Sequence, residues 1–451
     1  MPMILADDFT GAAALGGSLR ALGLTAIVMN EIPHRSVMSE YADGVVVVNT
    51  ATRDASADKT RIILEDALRD LWDGESGTLI FRVDSTMRGN IATSAQVGRE
   101  FLKGRFQKEP LVFVSIANPE AGRTVQGGEL FVMGERASTT ELYRDPTWSV
   151  TTSSVGDFLF GTDAHSAHPT SLPWGIIDGK ALDAGAEAVY DHILHQVGAG
   201  ITAFVLDGRQ PHDSLVLAHV LRTLESTYSL CVLDSGPLAQ SLLSPDDSLS
   251  GDLAIAWKPT AQTILVVAGT STTKTQTQLD WLHTSLRGRL LPLLDGLRRP
   301  APNVTTIETL KTSLRSQGET HVVALHSRHV LDGSDWVPGD FADAIGGALS
   351  EVAAACLEAP PAGLVLVGGE TSLHFLREVH AVGLRPGGIL EPLMPFGTIA
   401  GGPLDGMPVV TKGGLVGDEV SLNRAVRYLQ GAITPDGSSD DLEIATQKES
   451  T

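Results

Sequence analysis

The strongest constraint on the fold is an alternation. Apolar runs PMILA, TAIVMN, GVVVVN, TLIFRV, LVFVSI, TAFVLD and LCVLD follow one another through the first half of the chain. Between most of them lie helix-like stretches such as TRIILEDALRDLWD, with apolar side chains at three- and four-residue steps. A strand that is apolar along its length is covered on both faces, and helical connections make neighbouring strands parallel. The chain therefore reads as α/β. One stretch departs from the rhythm: TVQGGELFVMGE, residues 124–135, has Gly-Gly between β-prone arms and predicts a hairpin.

The alternation lapses at SPDDSLSGDLAIAWKPTAQ, residues 244–262, and restarts with TILVVAG, THVVALHS and AGLVLVGG. A chain of 451 residues exceeds what one core usually holds. The expected domains are 1–245 and 263–430, joined by a linker over 246–262, each a mainly parallel sheet flanked by helices. Residues 431–451, acidic and rich in Ser and Thr, read as a disordered tail. The apolar fraction, 42%, is enough for sizeable cores. A net charge of −21 repels nucleic acid and anionic membrane but leaves small ligands open. Cys231 and Cys356 sit in apolar stretches without metal-ligand neighbours and read as buried hydrophobes. No apolar run approaches the ~18 residues of a membrane span, and the N-terminus lacks the pattern of a signal peptide, so the chain reads as cytosolic.

In open α/β sheets, ligands bind beyond the carboxyl ends of strands. After the first run come Asp7, Asp8, Phe9, Thr10 and Gly11, and after GVVVVN comes Arg53. After TLIFRV come Asp84, Ser85, Arg88, Gly89 and Asn90, with Arg82 inside the run; after LVFVSI come Asn118, Glu120, Gly122 and Arg123. Carboxylates, hydroxyls and arginines on one rim suit a small polyhydroxylated anion. One of the two adjacent aspartates can hold substrate hydroxyls or take a proton from one, with arginines offsetting the charge. Either aspartate can instead cap the following helix.

The second half carries glycine-rich strand ends. AGTSTTKTQTQ brings Gly269, Thr270, Ser271 and Lys274 to an expected helix N-terminus, a phosphate-binding arrangement that lacks a Walker ending. GGETS brings Gly368, Gly369 and Thr371; VVTKGGLVGDE brings Lys412, Gly413, Gly414 and Asp418. Glycines let a backbone approach a nucleotide, and a lysine before glycines can close over phosphates. Asp418 would lie near a metal ion or cap the last helix. His165 and His168 read as solvated loop residues, and His321 and His326 lie at opposite ends of one strand.

Together these residues resemble the four-carbon acid sugar kinase family. Its opening Ala-Asp-Asp-x-Thr-Gly-Ala stands here as Ala6 to Ala12, and its Lys-x-Asp-Ser-Thr-Leu-Arg-Gly-Asn as RVDSTMRGN, residues 82–90. Pro-x-x-Gly-Arg is Pro119 to Arg123, and Thr-x-x-x-x-Asp-Pro is Thr140 to Pro146. Gly-Ser-x-Ser-x-x-Thr-x-x-Gln is similar to Gly269–Gln278, Gly-Gly-x-Thr is Gly368 to Thr371, and Lys-x-Gly is Lys412 to Gly414. The matches run in family order over nearly the whole chain. Arg82 stands where lysine is usual, Met87 where leucine is, and Lys274 is an added positive charge.

The resemblance implies ATP- and magnesium-dependent phosphorylation of a terminal hydroxyl on a tetronate or 3-oxo-tetronate, with the ligands in a cleft between the domains. It places Asp8, Arg53, Arg82, Asp84, Ser85, Arg88, Asn118 and Arg123 on the acid sugar, with Asp8 as the base. Thr270, Ser271, Gly368, Gly369, Thr371, Lys412, Gly413 and Gly414 would line the nucleotide. No metal ligand is assigned, and a homodimer is compatible with such a chain. A kinase of another sugar acid and a non-catalytic sugar-acid sensor are the alternatives; ATP binding separates the sensor from either kinase.

Overall fold

The computed structural model describes residues 2–435 apart from 42, 73–76, 141–149, 151, 162–171, 245–262, 271, 296–300, 317–321 and 328–337. The expected linker 246–262, the tail from 436, Ser271, residues 141–146, His165, His168 and His321 lie outside the described residues. The chain divides into two compact units, Met1–Gly251 and Asp252–Thr451.

The first unit contains β1 (Met3–Ala6), β2 (Ala26–Met29), β3 (Val45–Asn49), β4 (Thr78–Arg82), β5 (Leu111–Ser115), β6 (Arg123–Gln126), β7 (Glu129–Val132), β8 (Glu135–Arg136), β9 (Trp174–Ile177), β10 (Ala203–Leu206) and β11 (Leu230–Asp234). Its large sheet runs β2-β3-β1-β4-β11-β5-β10-β9, parallel throughout. Every residue of β3, β5 and β11 is buried, including the polar Asn49, Ser115 and Asp234 at their carboxyl ends. Helix Phe9–Ala21 packs with Pro237–Leu243, and Ala57–Leu71 packs with Ile91–Phe106. Right-handed crossovers put those two pairs on opposite faces of the sheet.

All seven expected runs of this unit are strands. Strand β9 was not foreseen, because WGII is short, carries a glycine and is only half-buried at the sheet edge. The hairpin is present: β6 and β7 pair antiparallel around Gly127 and Gly128, whose φ angles of +59° and +75° suit a tight glycine turn. Asp207, just past β10, accepts the amides of Gly127 at 2.8 Å and Gly128 at 2.9 Å, which fastens the turn to the sheet.

The second unit contains β12 (Ile264–Ala268), β13 (Arg289–Pro292), β14 (Leu294–Asp295), β15 (Ala301–Pro302), β16 (Val322–His326), β17 (Gly363–Val367), β18 (Gly383–Glu391), β19 (Met394–Ala400) and β20 (Pro408–Lys412). Its sheet order is β13-β16-β12-β17-β20-β19-β18. The first five are parallel, while β19 runs against both β20 and β18. The β18–β19 pair was not foreseen either. Its sequence, GLRPGGILEPLMPFGTIA, is broken by Pro and Gly, and bulges near Pro386 and Ile389 absorb them. Ile264, Val266, Val365, Val367, Phe396, Val410, Val426 and Tyr428 form this unit's core.

Candidate functional site

The chain leaves β1 toward β2 and β3 on one side, then crosses to β4 on the other. The carboxyl ends of β1 and β4 thus flank a topological switch point, where open α/β sheets form a crevice. Asp7 and Asp8 follow β1, Arg53 lies in the loop after β3, and Asp84 follows β4.

Arg53 gathers the three carboxylates. Its Nε and Nη2 donate to the two oxygens of Asp7 at 3.0 and 2.7 Å. Its Nη1 is 2.6 Å from Asp8 Oδ2, and Nη2 is 3.8 Å from Asp84 Oδ1. The other Asp8 oxygen, Oδ1, accepts the Gly11 amide at 2.8 Å, so Asp8 caps helix Phe9–Ala21 and pairs with Arg53 at once. Gly89 suits glycine: its φ is +87°, and a Cβ there would press at 3.3 Å on both Arg53 and Asp7. Asn90 donates to the Thr52 and Ala55 carbonyls at 2.8 and 2.9 Å, tying the loop after β4 to the loop that carries Arg53.

Asp84 is held from its own loop. Thr86 Oγ1 donates to it, and Arg88 binds it with Nε at 3.0 Å and Nη2 at 3.1 Å. Burial alone would raise the Asp84 pKa, but Arg53 and Arg88 hold it well below the usual carboxylate range. Asp7 goes the other way. Burial, with the charge of Asp8 added, pushes it up to about 6 against the attraction of Arg53. Arg53 itself is held charged by Asp7, Asp8 and Asp84, although burial opposes this.

Arg82 is buried, with Nη1 donating to its own neighbour's carbonyl at Val83, 2.7 Å away. Its guanidinium lies on Gly11, where a Cβ would come within 2.5 Å of Cζ. Among the described residues its Nε has no hydrogen-bond partner, and neither has the Nε of Arg123. Arg123 Nη1 donates to the Ala121 carbonyl, and its charge is favoured by Asp84 and opposed by Arg88 and by burial. Asn118 caps the short turn Pro119–Ala121, and Ser85 is buried beside Asp84. The structure thus brings Asp8, Arg53, Arg82, Asp84, Arg88 and Arg123 into one charged neighbourhood. Asp234 is an addition to it. This buried carboxylate follows β11, accepts the amides of Gly236, Leu238 and Ala239, and lies in the field of Arg82. The rule that found Asp7 and Asp84, a carboxylate at the end of an apolar run, applies equally to LCVLD.

In the second unit, the loops after β12, β17 and β20 converge. A Cβ on Gly269 would lie 2.4 Å from Thr371 Oγ1, and one on Gly414 would lie 2.7 Å from Thr270 Oγ1. Gly368, with φ +109°, donates its amide to the Lys412 carbonyl at 2.8 Å, and Gly369 opens helix Gly369–Glu378. Lys412 is 1% exposed, and its Nζ donates to the Gly413 carbonyl at 3.0 Å. Burial, with a smaller push from Lys274, lowers its pKa to about 7. Gly413 and Gly414 continue directly from it. Thr272 caps helix Thr273–Leu286 and so supplies the N-terminus expected there. Asp418 accepts from Val420 N and Ser421 Oγ ahead of helix Ser421–Leu429.

A family model described as a sugar-binding N-terminal domain matches residues 3–242, and one described as a nucleotide-binding C-terminal domain matches residues 265–422. The D-erythronate kinase of Heliobacterium modesticaldum is 25% identical over 445 residues, covering 95% of this chain and 96% of that one. The D-threonate kinase of Salmonella typhimurium is 24% identical over 456 residues, covering 95% and 98%. The 3-oxo-tetronate kinase of Pseudomonas fluorescens is 25% identical over 439 residues, covering 95% and 96%. Among solved structures, a Salmonella typhimurium LT2 protein provisionally described as a tRNA synthase superposes with a TM-score of 0.74 at 20% identity, covering 94% and 98%. A Haemophilus influenzae protein of the DUF1537 family gives 0.67 at 19%, covering 95% and 100%. At those identities the structural likeness shows the fold alone.

Proposed function

The chain belongs to the four-carbon acid sugar kinase family, and on that premise we propose that it transfers the γ-phosphoryl group of ATP to a terminal hydroxyl of a tetronate or 3-oxo-tetronate. The observation that carries the reading is the distribution of guanidinium donors beyond the carboxyl ends of β3, β4 and β5. Arg53 is engaged by Asp7 and Asp8, and Arg88 by Asp84, so these two arginines neutralise the protein's own carboxylates. Arg123 donates to a backbone carbonyl and leaves its Nε unpartnered among the described residues. Arg82 shares that pattern but is buried, whereas Arg123 is half-buried, so Arg123 is the guanidinium best suited to take the carboxylate of the acid. Arg82, Asp84, Ser85, Arg88, Asn118 and Arg53 would surround the hydroxyls.

Of the two adjacent aspartates, Asp8 is the more exposed, its side chain at 18% against 8% for Asp7. Asp8 would accept the proton of the attacking hydroxyl as the new O–P bond forms and the bond to the β-phosphate oxygen breaks. A loose phosphoryl-transfer transition state asks little of that base.

The second unit's residues fit a nucleotide. At Gly269 and Gly414 the backbone comes so close to Thr371 and Thr270 that a side chain would collide, and the Lys412 amine is buried beside them. Thr270, Ser271, Gly368, Gly369, Thr371, Lys412, Gly413 and Gly414 would lie along the phosphates and ribose. Among the described residues no group of three or more His, Cys, Asp or Glu is placed to hold a metal. Magnesium would enter on the nucleotide's oxygens and offset their charge during transfer.

The test is ADP release with ATP and magnesium across erythronates, threonates and their 3-oxo forms, with Asp8→Ala and Arg123→Ala alongside. Turnover of one acid, lost in Asp8→Ala and with a raised KM for the acid in Arg123→Ala, is expected. ATP binding without turnover of any member would reject this substrate class.

A further inference from the structure

The polar side chains at the start of helix Thr273–Leu286 converge on one loop. Thr272 and Thr275 place their hydroxyls 2.8 and 2.9 Å from the Gly414 carbonyl. Lys274 Nζ donates to the Gly417 carbonyl at 3.0 Å. Gln278 Nε2 donates to the carbonyls of Val416 at 3.1 Å and Asp418 at 2.6 Å. Positions 275 and 278 are three apart and so share a helix face. Both side chains are wholly buried, which shields their bonds from water.

The loop needs such support. It runs from Lys412 through Gly413, Gly414 and Gly417, and glycines lose the most conformational freedom when fixed. One backbone bond closes a turn inside it, from Val416 N to the Gly413 carbonyl at 3.2 Å. On its other side Gly414 is pressed against Thr270. The shape of the loop between β20 and Asp418 is therefore set in good part from the helix, and the Gly413 carbonyl carries that shape to the Lys412 amine.

We propose that Thr275 and Gln278 are positioning residues: they do not meet the nucleotide but hold the loop 413–418, and through the Gly413 carbonyl the Lys412 amine, in the shape that receives the phosphates. The proposal rests on the nucleotide reading of this unit. It assigns the buried threonine and glutamine of the segment after β12 to the protein's own backbone, and leaves the strand-end residues Gly269 and Thr270 to face the ligand.

Two measurements on the full chain test it, using Thr275→Val, Thr275→Ser and Gln278→Leu. The first is amide hydrogen exchange without nucleotide. The amides of 413–418 should exchange about tenfold faster in Thr275→Val and Gln278→Leu, with Thr275→Ser restoring protection and the first unit unchanged. The second is steady-state kinetics, where the KM for ATP should rise roughly three- to tenfold while the KM for the acid stays constant. Unchanged exchange at 413–418 would overturn the proposal, as would both KM values rising together with faster exchange throughout. If the unmodified chain bound no ATP, the nucleotide reading would fall, and the exchange arm would still decide whether these side chains hold the loop.

Discussion

Lys412 links stability to function in a way that can be measured. The residue is 1% exposed, and burial lowers the pKa of its amine from 10.5 to about 7. A lysine with a depressed pKa binds fewer protons folded than unfolded between those two values, so stability rises with pH across that window. At 1.36 kcal/mol per unit, the group costs about 5 kcal/mol below pH 7 and about 2 kcal/mol at pH 9. Lys412→Met removes the charge and keeps an unbranched side chain one atom shorter. Chemical denaturation of the second unit, ligand-free, should show the variant more stable at pH 7 by a few kcal/mol, after subtracting ~1 kcal/mol for the lost bond to Gly413. The gain should shrink by roughly 2–3 kcal/mol on going to pH 9. ATP should no longer stabilise the variant. A Lys412→Met protein that is less stable at pH 7, or whose pH slope from 7 to 9 matches the unmodified chain, would refute the reasoning.

Other substitutions probe the two sites separately. Gly11→Ala adds a Cβ within 2.5 Å of the Arg82 guanidinium, which must move. Kinetics should show a ten- to hundredfold lower kcat/KM for the acid, as for loss of one charge-assisted hydrogen bond (about 1.5–3 kcal/mol), with the KM for ATP unchanged. Gly414→Ala adds a Cβ 2.7 Å from Thr270 Oγ1, so a nucleotide titration should show weaker ATP binding and unchanged acid binding. Arg53→Met leaves Asp7, Asp8 and Asp84 without their shared counter-charge, and denaturation should show about 3–5 kcal/mol lost at pH 7. On Asp7's account that deficit should shrink as pH falls toward 6 and level off below it, because losing Arg53 lifts the pH at which Asp7 takes up its proton above the value of about 6 it has beside the guanidinium.

Much of the first unit was legible in the sequence because its strands are continuously apolar and each ends in a polar residue. That pattern placed Asp7, Asp8, Arg53 and Asp84 on one rim, and the structure joins them through a single guanidinium. The two readings of Asp8, cap or ligand, did not exclude each other, since a carboxylate has an oxygen for the helix and another for the arginine. Strands β9, β18 and β19 were not legible: they hold Gly and Pro, which only the paired neighbour makes tolerable. The direction of Thr275 and Gln278 was equally hidden. Their partners lie 139 and 138 residues away, a separation no local pattern reports.

The central claim is phosphoryl transfer to a four-carbon sugar acid. The most direct measurement is phosphorus NMR of the chain incubated with ATP, magnesium and each tetronate or 3-oxo-tetronate in turn. The account predicts a new phosphomonoester resonance with one acid, growing as ADP appears, and none with Asp8→Ala. A chain that binds ATP and yields no phosphomonoester from any of these acids would contradict it.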